Sequence, residues 1–137
     1  MMEKAVFSLE SFKFSKVILD LDSEPKALKI GTLEPTGVFD SKSRSFWLTI
    51  FFSAKNSEND NEAISLKCVS VFKFSEAISS FKDIPQFFYA NSIAIMYPYI
   101  RAFVSSLTLQ ANYKPIILPT MNLSSLKDVL FENTSEK

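Results

Sequence analysis

Carboxylates come close together at two places in the sequence, and such pairs are what acid–base catalysis or calcium binding would need. Asp20 and Asp22 are separated by one residue, and Glu58, Asp60 and Glu62 alternate within a polar stretch. A calcium loop also needs a glycine at its sharp turn and a glutamate at a fixed distance downstream, and the second cluster has neither. We interpret both groups as solvated charges in loops or at strand ends.

Other side chains for catalysis are few. The chain has 137 residues and no histidine, which removes the imidazole base and the Ser-His and Cys-His dyads. Gly31 and Gly37 are the two glycines, so neither a P-loop nor a GxGxxG motif can be written. The lone Cys68 excludes a disulfide within the chain and a CxxC site, and its alternating neighbours predict a small buried apolar residue. We expect no metal, no cofactor and no enzymatic activity.

The charge balance argues against nucleic-acid binding, and the apolar content indicates contacts with other chains or ligands. The 15 basic and 15 acidic residues give a pI near 6.3, which is not typical of a nucleic-acid-binding domain. Apolar residues make up 47% of the chain and include 14 phenylalanines, so some apolar surface should lie outside the core and form contacts. Residues 84–104 are long enough to span a membrane, but their polar residues favour a buried helix. Since the N-terminus has no signal-peptide core, we expect a cytoplasmic protein that does not insert into the membrane.

One cation in this apolar stretch needs a partner. Arg101 lies in a segment with helical periodicity, and a buried guanidinium must be paired. A structural ion pair or a contact with a backbone carbonyl is favoured over a substrate contact. Tyr97 and Tyr99 flank Pro98, and we expect both rings to pack while their hydroxyls reach water or a neighbouring group.

The elements that position these side chains begin with strands. Residues 6–14 change phase between Leu9 and Phe12, which predicts a bulge, and residues 17–21 continue extended. Further strands are predicted over residues 27–33, 45–54 and 63–75. Pro35 and Gly37 are expected in a turn or crossover, and the polar residues 55–62 in a hairpin loop.

The last third of the chain has the period of helices. Residues 91–112 predict a long helix, in which Pro98 produces a kink or marks the start of the straight part. After an extended connector, residues 126–132 predict a short helix capped by Ser124 or Ser125. The expected fold class is α+β, a single domain over residues 1–137 with an ordered core of about 5–132. It has a four-stranded antiparallel sheet followed by one long and one short helix.

Two segments of the C-terminal third have a distinctive wording. Residues 95–107, IMYPYIRAFVSSL, contain an aromatic-P-Y-x-R pattern followed by a serine pair, and residues 118–122 read LPTMN. The first segment resembles the start of the main helix, and the second the connector, of the SecB family of protein-export chaperones. The resemblance covers roughly residues 7–131. It implies a homotetramer, a dimer of dimers, that holds unfolded presecretory proteins without ATP for the Sec translocation machinery.

The resemblance also implies site residues. The peptide-binding groove of the family corresponds here to Leu28, Ile30, Leu123, Leu126 and Leu130. Docking to the SecA motor corresponds to Asp20 and Glu58, whereas Lys16 stands where a further acid is expected.

Two alternatives stay open. SecB-like chaperones also serve toxin–antitoxin pairs, and the departure at Lys16 motivates that version. A non-enzymatic small-ligand-binding or scaffold domain could reuse the same fold, and it would show one enclosed cavity in place of a long open groove.

Overall fold

A computed structural model describes residues 5–22 and 27–137. The chain forms one sheet and two α-helices, with a short 3₁₀ turn before the first helix. The elements are β1 (Phe7–Leu19), β2 (Leu28–Asp40), β3 (Ser45–Asn56), β4 (Glu62–Phe74), α1 (Gln86–Gln110), α2 (Leu126–Glu132) and β5 (Thr134–Glu136). The sheet order is β1-β4-β3-β2-β5. The α+β class and the helix order agree with the sequence.

The side chains of the central strands β3 and β4 alternate between the two faces of the sheet. Their alternate residues form the core, as shown by Phe46, Ile50 and Phe72, each 1% exposed or less. These residues lie on the inner face, where Phe88 of α1 packs edge-on against Phe46 and Phe72. The intervening residues point to the opposite, outer face.

The phase change in β1 produces bulges, as predicted. The pairing of β1 with β4 shifts register between Leu9 and Ser11 and again between Phe14 and Lys16. The first shift returns Phe14 to the inner face, where its ring stacks on Phe103 of α1 with centroids 4.0 Å apart. The bulges therefore keep apolar rings on one face of an edge strand.

The turn predicted at Pro35 and Gly37 was wrong. Both residues lie within β2, paired with Ile50 and Leu48 of β3. Proline is tolerated because its nitrogen lies on the side of β2 away from β3, where Gly37 N two residues later donates to Asn133 O at 3.1 Å, so the missing N–H breaks no ladder with β3. Glycine is required because a Cβ at position 37 would overlap the buried ring of Phe46.

The prediction of four antiparallel strands was also wrong, because the sheet has a fifth strand that makes it mixed. β5 pairs in parallel with β2, Gly37 opposite Thr134 and Phe39 opposite Glu136. Its three residues are polar and too few to show alternation. It is held by contacts instead: Lys137 N donates to Phe39 O at 2.8 Å, and Glu136 Oε1 accepts from Phe81 N at 2.7 Å.

Helix α1 begins earlier than the sequence predicted, and α2 has the predicted bounds. The first turn of α1 follows Pro85, which suits a helix start because no amide donor is needed there. Helix α1 is long and apolar enough to cross a membrane, a property that the core helices of soluble proteins share. Its buried residues, from Phe88 to Thr108, lie along one side and contact the sheet and the segment that follows.

Candidate functional site

The connector, residues 111–125, runs between the two helices without regular secondary structure and is fastened to α1 by side chains. Tyr97 Oη donates to the carbonyl oxygen of Pro119 at 2.7 Å. Arg101 Nε donates to Leu118 O at 3.1 Å, and Ser105 Oγ donates to Ile116 O at 2.7 Å. The connector is thus held by its backbone carbonyls.

A fourth side chain of α1, that of Thr108, also holds the connector. Its hydroxyl accepts from Ile116 N at 2.9 Å and lies within donor distance of the Val104 and Ser105 carbonyl oxygens. Tyr97, Arg101, Ser105 and Thr108 follow one another at intervals of four, four and three, which places them on one side of a helix. The expected carbonyl contact of Arg101 is confirmed.

The surroundings of Tyr97 favour the protonated form of its hydroxyl. Burial raises the pKa of Tyr97, an effect that the positive charge of Arg101 partly offsets. The Tyr97 hydroxyl therefore stays protonated and continues to donate to Pro119. Tyr99 points elsewhere, and its ring lies 4.5 Å from that of Phe12.

Because the carbonyls face α1, part of the connector's apolar surface faces solvent. Leu118 is buried, whereas Ile117 next to it is 77% exposed and Met121 is 38% exposed. Neither Ile117 nor Met121 was predicted from the sequence. The four-four-three spacing of polar side chains on α1 was the signal that could have located them.

The predicted groove residues near α2 occupy two environments. Leu130 is fully buried in the core and Leu123 is 8% exposed, so both lie beneath the surface. Leu126 is partly buried against the core, and Val129, which the sequence analysis did not select, is exposed. The accessible apolar side chains of this region are therefore those of Ile117, Met121, Leu126 and Val129, which we call the connector–α2 surface.

The remaining groove residues lie on β2. Leu28 and Ile30 are partly buried, pair with Asn56 and Ala54, and belong to the first half of the strand. Helix α2 packs against β2, and the chain joins the second half of that strand at Gly37 two residues after α2 ends. The groove residues predicted on β2 and those predicted near α2 thus lie on elements that contact each other. However, the chain after α2 pairs with the second half of β2, whereas Leu28 and Ile30 lie in its first half.

The predicted docking acids lie at one end of the sheet. Asp20 follows β1, where its N–H donates to Ala63 O at 2.8 Å and its carboxylate accepts from Asp22 N at 3.2 Å. Glu58 lies exposed in the β3–β4 turn. Asp60 lies in the same turn and forms an ion pair with Lys29 of β2. The hydrogen bond from the Lys29 ammonium and its positive charge lower the pKa of Asp60.

A cavity of about 380 Å³ lies between the first half of α1 and the connector. Asn91, Tyr97 and Arg101 line it on the helix side, and Met121 and Asn122 on the other. The cavity is part of the connector region described above. Cys68 lies apart from it in the core, where burial raises the thiol pKa to about 11, as suits a structural residue.

Two known proteins are similar to this chain. Over 74 residues the chain is 39% identical to the uncharacterised protein MJ0357 of Methanocaldococcus jannaschii, an alignment that covers 50% of this chain and 48% of that protein. The chain thus spans about half the length of this relative. Its fold is similar to that of Rv1957, a SecB-like chaperone of Mycobacterium tuberculosis solved in complex with a ChAD peptide from the HigA1 antitoxin, Rv1956. The TM-score is 0.68 at 17% identity, with 85% of this chain and 90% of that chain covered, a likeness that shows the fold alone.

The family model described as "SecB: Preprotein translocase subunit SecB" matches residues 7–135. This match includes all five strands, both helices and the connector except the last residue of β5. The chain therefore belongs to the SecB family.

Proposed function

We propose that this protein is an ATP-independent chaperone that binds unfolded polypeptides on the connector–α2 surface. The observation that carries the proposal is the way α1 fixes the connector. Tyr97, Arg101 and Ser105 donate hydrogen bonds to backbone carbonyls of the connector. The side chains of Ile117 and Met121 are therefore exposed. Exposed apolar side chains on such a backbone can bind clients of many different sequences, because the contact requires little specific hydrogen bonding from the client.

We propose that the groove residues predicted from the family resemblance also contact the client. Leu28, Ile30 and Leu126 are the partly buried members, whereas Leu123 and Leu130 are buried in the core. A client segment lying across α2 and the first half of β2 would contact both groups. In this arrangement Leu130 stabilises α2 and does not itself touch the client.

The export version of this function has presecretory proteins as clients, handed to SecA in the cytoplasm. Asp20 and Glu58 are the proposed docking carboxylates, and both are exposed at the same end of the sheet. No cofactor is required for holding a client.

A second candidate is a chaperone dedicated to one antitoxin. It is supported by the similarity in fold to Rv1957, whose structure contains an antitoxin peptide. Lys16 also replaces an expected docking acid. The two versions differ in the number of clients.

The proposed assembly is a homotetramer. Exposed apolar residues on β1 and α1, Phe12, Phe87, Ile95 and Tyr99, supply surface for contacts between subunits. Phe12 and Tyr99 already pack together within one chain, which makes a continuous aromatic surface.

The proposal is tested with an aggregation-suppression assay and light scattering on the same sample. We expect a tetramer that suppresses aggregation of a chemically unfolded, signal-bearing precursor without ATP. Pull-down from cells should recover many precursors for the export version and one antitoxin for the dedicated version. Failure to bind any unfolded client would refute both.

A further inference from the structure

The outer face of the sheet carries a row of apolar side chains. In the described part of the chain both helices pack on the inner face. Across neighbouring strands Val38 pairs with Trp47, and Trp47 with Val71. Val69 and Phe51 occupy adjoining outer positions on β4 and β3, and Phe51 is 41% exposed. Since paired strands lie about 4.8 Å apart, these side chains form one patch.

Lysines border this patch on the side of β1 and β4. Lys13 is opposite Val69, Lys16 is opposite Lys67, and Lys73 lies further along β4. Like charges directly opposite each other destabilise a sheet, so the Lys16–Lys67 pair is unfavourable in the free protein. Within residues 5–22 and 27–137, none of these lysines forms an ion pair with a carboxylate. The carboxylate of Glu34 lies on the other side of the patch, on β2.

The lysines and the aromatic rings are in contact. The Lys67 ammonium lies 5.8 Å from the centre of the Phe51 ring. From the other edge, the Lys137 ammonium lies 5.0 Å from the Trp47 ring. Lysine side chains in such positions cover apolar surface with their methylenes and keep their charges accessible.

We infer that the outer face binds an acidic amphipathic segment of another polypeptide. Its apolar side chains would cover Trp47 and Phe51, and its carboxylates would neutralise the Lys16–Lys67 pair. Binding would thus relieve a repulsion that the free protein contains, and charge complementarity would orient the segment towards β1 and β4. This site is separate from the connector–α2 surface and does not depend on the function proposed for it.

The chemistry favours a polypeptide over the other polyanions. Nucleic-acid interfaces are strongly polar and positive, whereas the centre of this patch is aliphatic and aromatic, with Val38, Val69 and Val71. An anionic membrane would attract the same lysines, but the patch is a flat pleated surface without a projecting apolar helix or loop. DNA and anionic vesicles therefore serve as comparison ligands.

Trp47 is the one tryptophan of the sequence, so its fluorescence reports binding at this face. The full chain is titrated with a synthetic 20-residue peptide of alternating glutamate and leucine or phenylalanine. A peptide with lysine in place of glutamate, a 20-nucleotide single-stranded DNA and phosphatidylserine vesicles are titrated in parallel. We expect the acidic peptide to bind most tightly and its affinity to fall at least tenfold between 50 and 500 mM salt.

Two double variants locate the contact. Lys16→Glu/Lys67→Glu should weaken binding of the acidic peptide at least tenfold. Lys82→Glu/Lys114→Glu, which makes the same charge change at exposed positions off this face, should leave it unchanged. The single variant Lys16→Glu, which turns the repulsive pair into an attractive one, should also weaken binding, and it guards against loss of binding through unfolding. Suppression of client aggregation should be the same in Lys16→Glu and Lys16→Glu/Lys67→Glu as in the wild type.

Equal affinity for the acidic and basic peptides, or unchanged affinity in Lys16→Glu/Lys67→Glu, would overturn the inference. Tighter binding of DNA or vesicles than of the acidic peptide would also overturn it. If aggregation suppression fails while the peptide still binds, the proposed chaperone function falls and this inference stands.

Discussion

The hydroxyl of Tyr97 donates a 2.7 Å hydrogen bond to the carbonyl oxygen of Pro119, which joins the middle of α1 to the connector. Arg101 makes the same kind of bond one helical turn later, to the adjacent carbonyl of Leu118. The aromatic and arginine residues of the aromatic-P-Y-x-R pattern thus fix the backbone of the connector by hydrogen bonds. Their polar groups bind the protein's own chain, and the exposed apolar side chains of the connector remain accessible to other molecules.

Removing the Tyr97 hydroxyl should loosen the connector. Tyr97→Phe deletes one partly buried hydrogen bond, at a loss in stability of about 0.5–1.5 kcal/mol. Amide hydrogen exchange in residues 111–125 should accelerate. Tyr99→Phe is the matched control, because Tyr99 is exposed and contacts Phe12 through its ring. Equal exchange in the two variants would contradict the assigned role of Tyr97.

Gly37→Ala should destabilise the protein by about 1–3 kcal/mol or more, as expected of overpacking. The added Cβ would overlap the buried ring of Phe46 and lie 2.9 Å from Thr134 Oγ1. Gly31→Ala is the control, since the Cβ there meets the flexible side chain of Lys55. Chemical denaturation measures both variants. A loss no larger at position 37 than at position 31 would show that the close packing of β2, β3 and β5 is wrong.

The sheet edge shows what the sequence does and does not reveal. Alternation located β3 and β4 well, because both strands pack their alternate residues in the core. It did not place Pro35 and Gly37 within β2, since their use depends on Phe46 and Thr134, which are distant in sequence. It did not reveal β5 either, because the contacts of that strand come from Phe39 and Phe81. The bounds of α2 could be predicted, but the burial of Leu130 could not, because it depends on how α2 packs.

Alkaline pH should destabilise the protein through Cys68. Burial raises the pKa of this thiol from its ordinary value of 9.0 to about 11. Between pH 9 and 11 the unfolded chain therefore loses a proton that the folded chain keeps, so stability falls as pH rises through this window. The free energy of unfolding should fall more steeply with pH in the wild type than in Cys68→Ala. Parallel curves for the two proteins would rule out this contribution.

Lys16→Glu should stabilise the isolated protein. It replaces a repulsive cross-strand pair with an attractive one opposite Lys67, a gain of about 0.2–1 kcal/mol at low salt. Lys13→Glu, which faces Val69, is the control and should give no comparable gain. Thermal unfolding at low and high salt measures the difference. If Lys16→Glu is less stable than Lys13→Glu at low salt, the assigned register or repulsion is wrong.

The central claim, that clients bind the connector–α2 surface, is tested most directly by the affinity for a permanently unfolded client. A reduced and carboxymethylated protein is titrated with wild type, with Ile117→Ser/Met121→Ser, and with Val6→Ser/Ile18→Ser as a control that removes exposed apolar side chains elsewhere. We expect the connector variant to bind at least tenfold more weakly, with an unchanged fold by circular dichroism, and the control to bind like the wild type. Equal affinity of the connector variant and the wild type would contradict the claim.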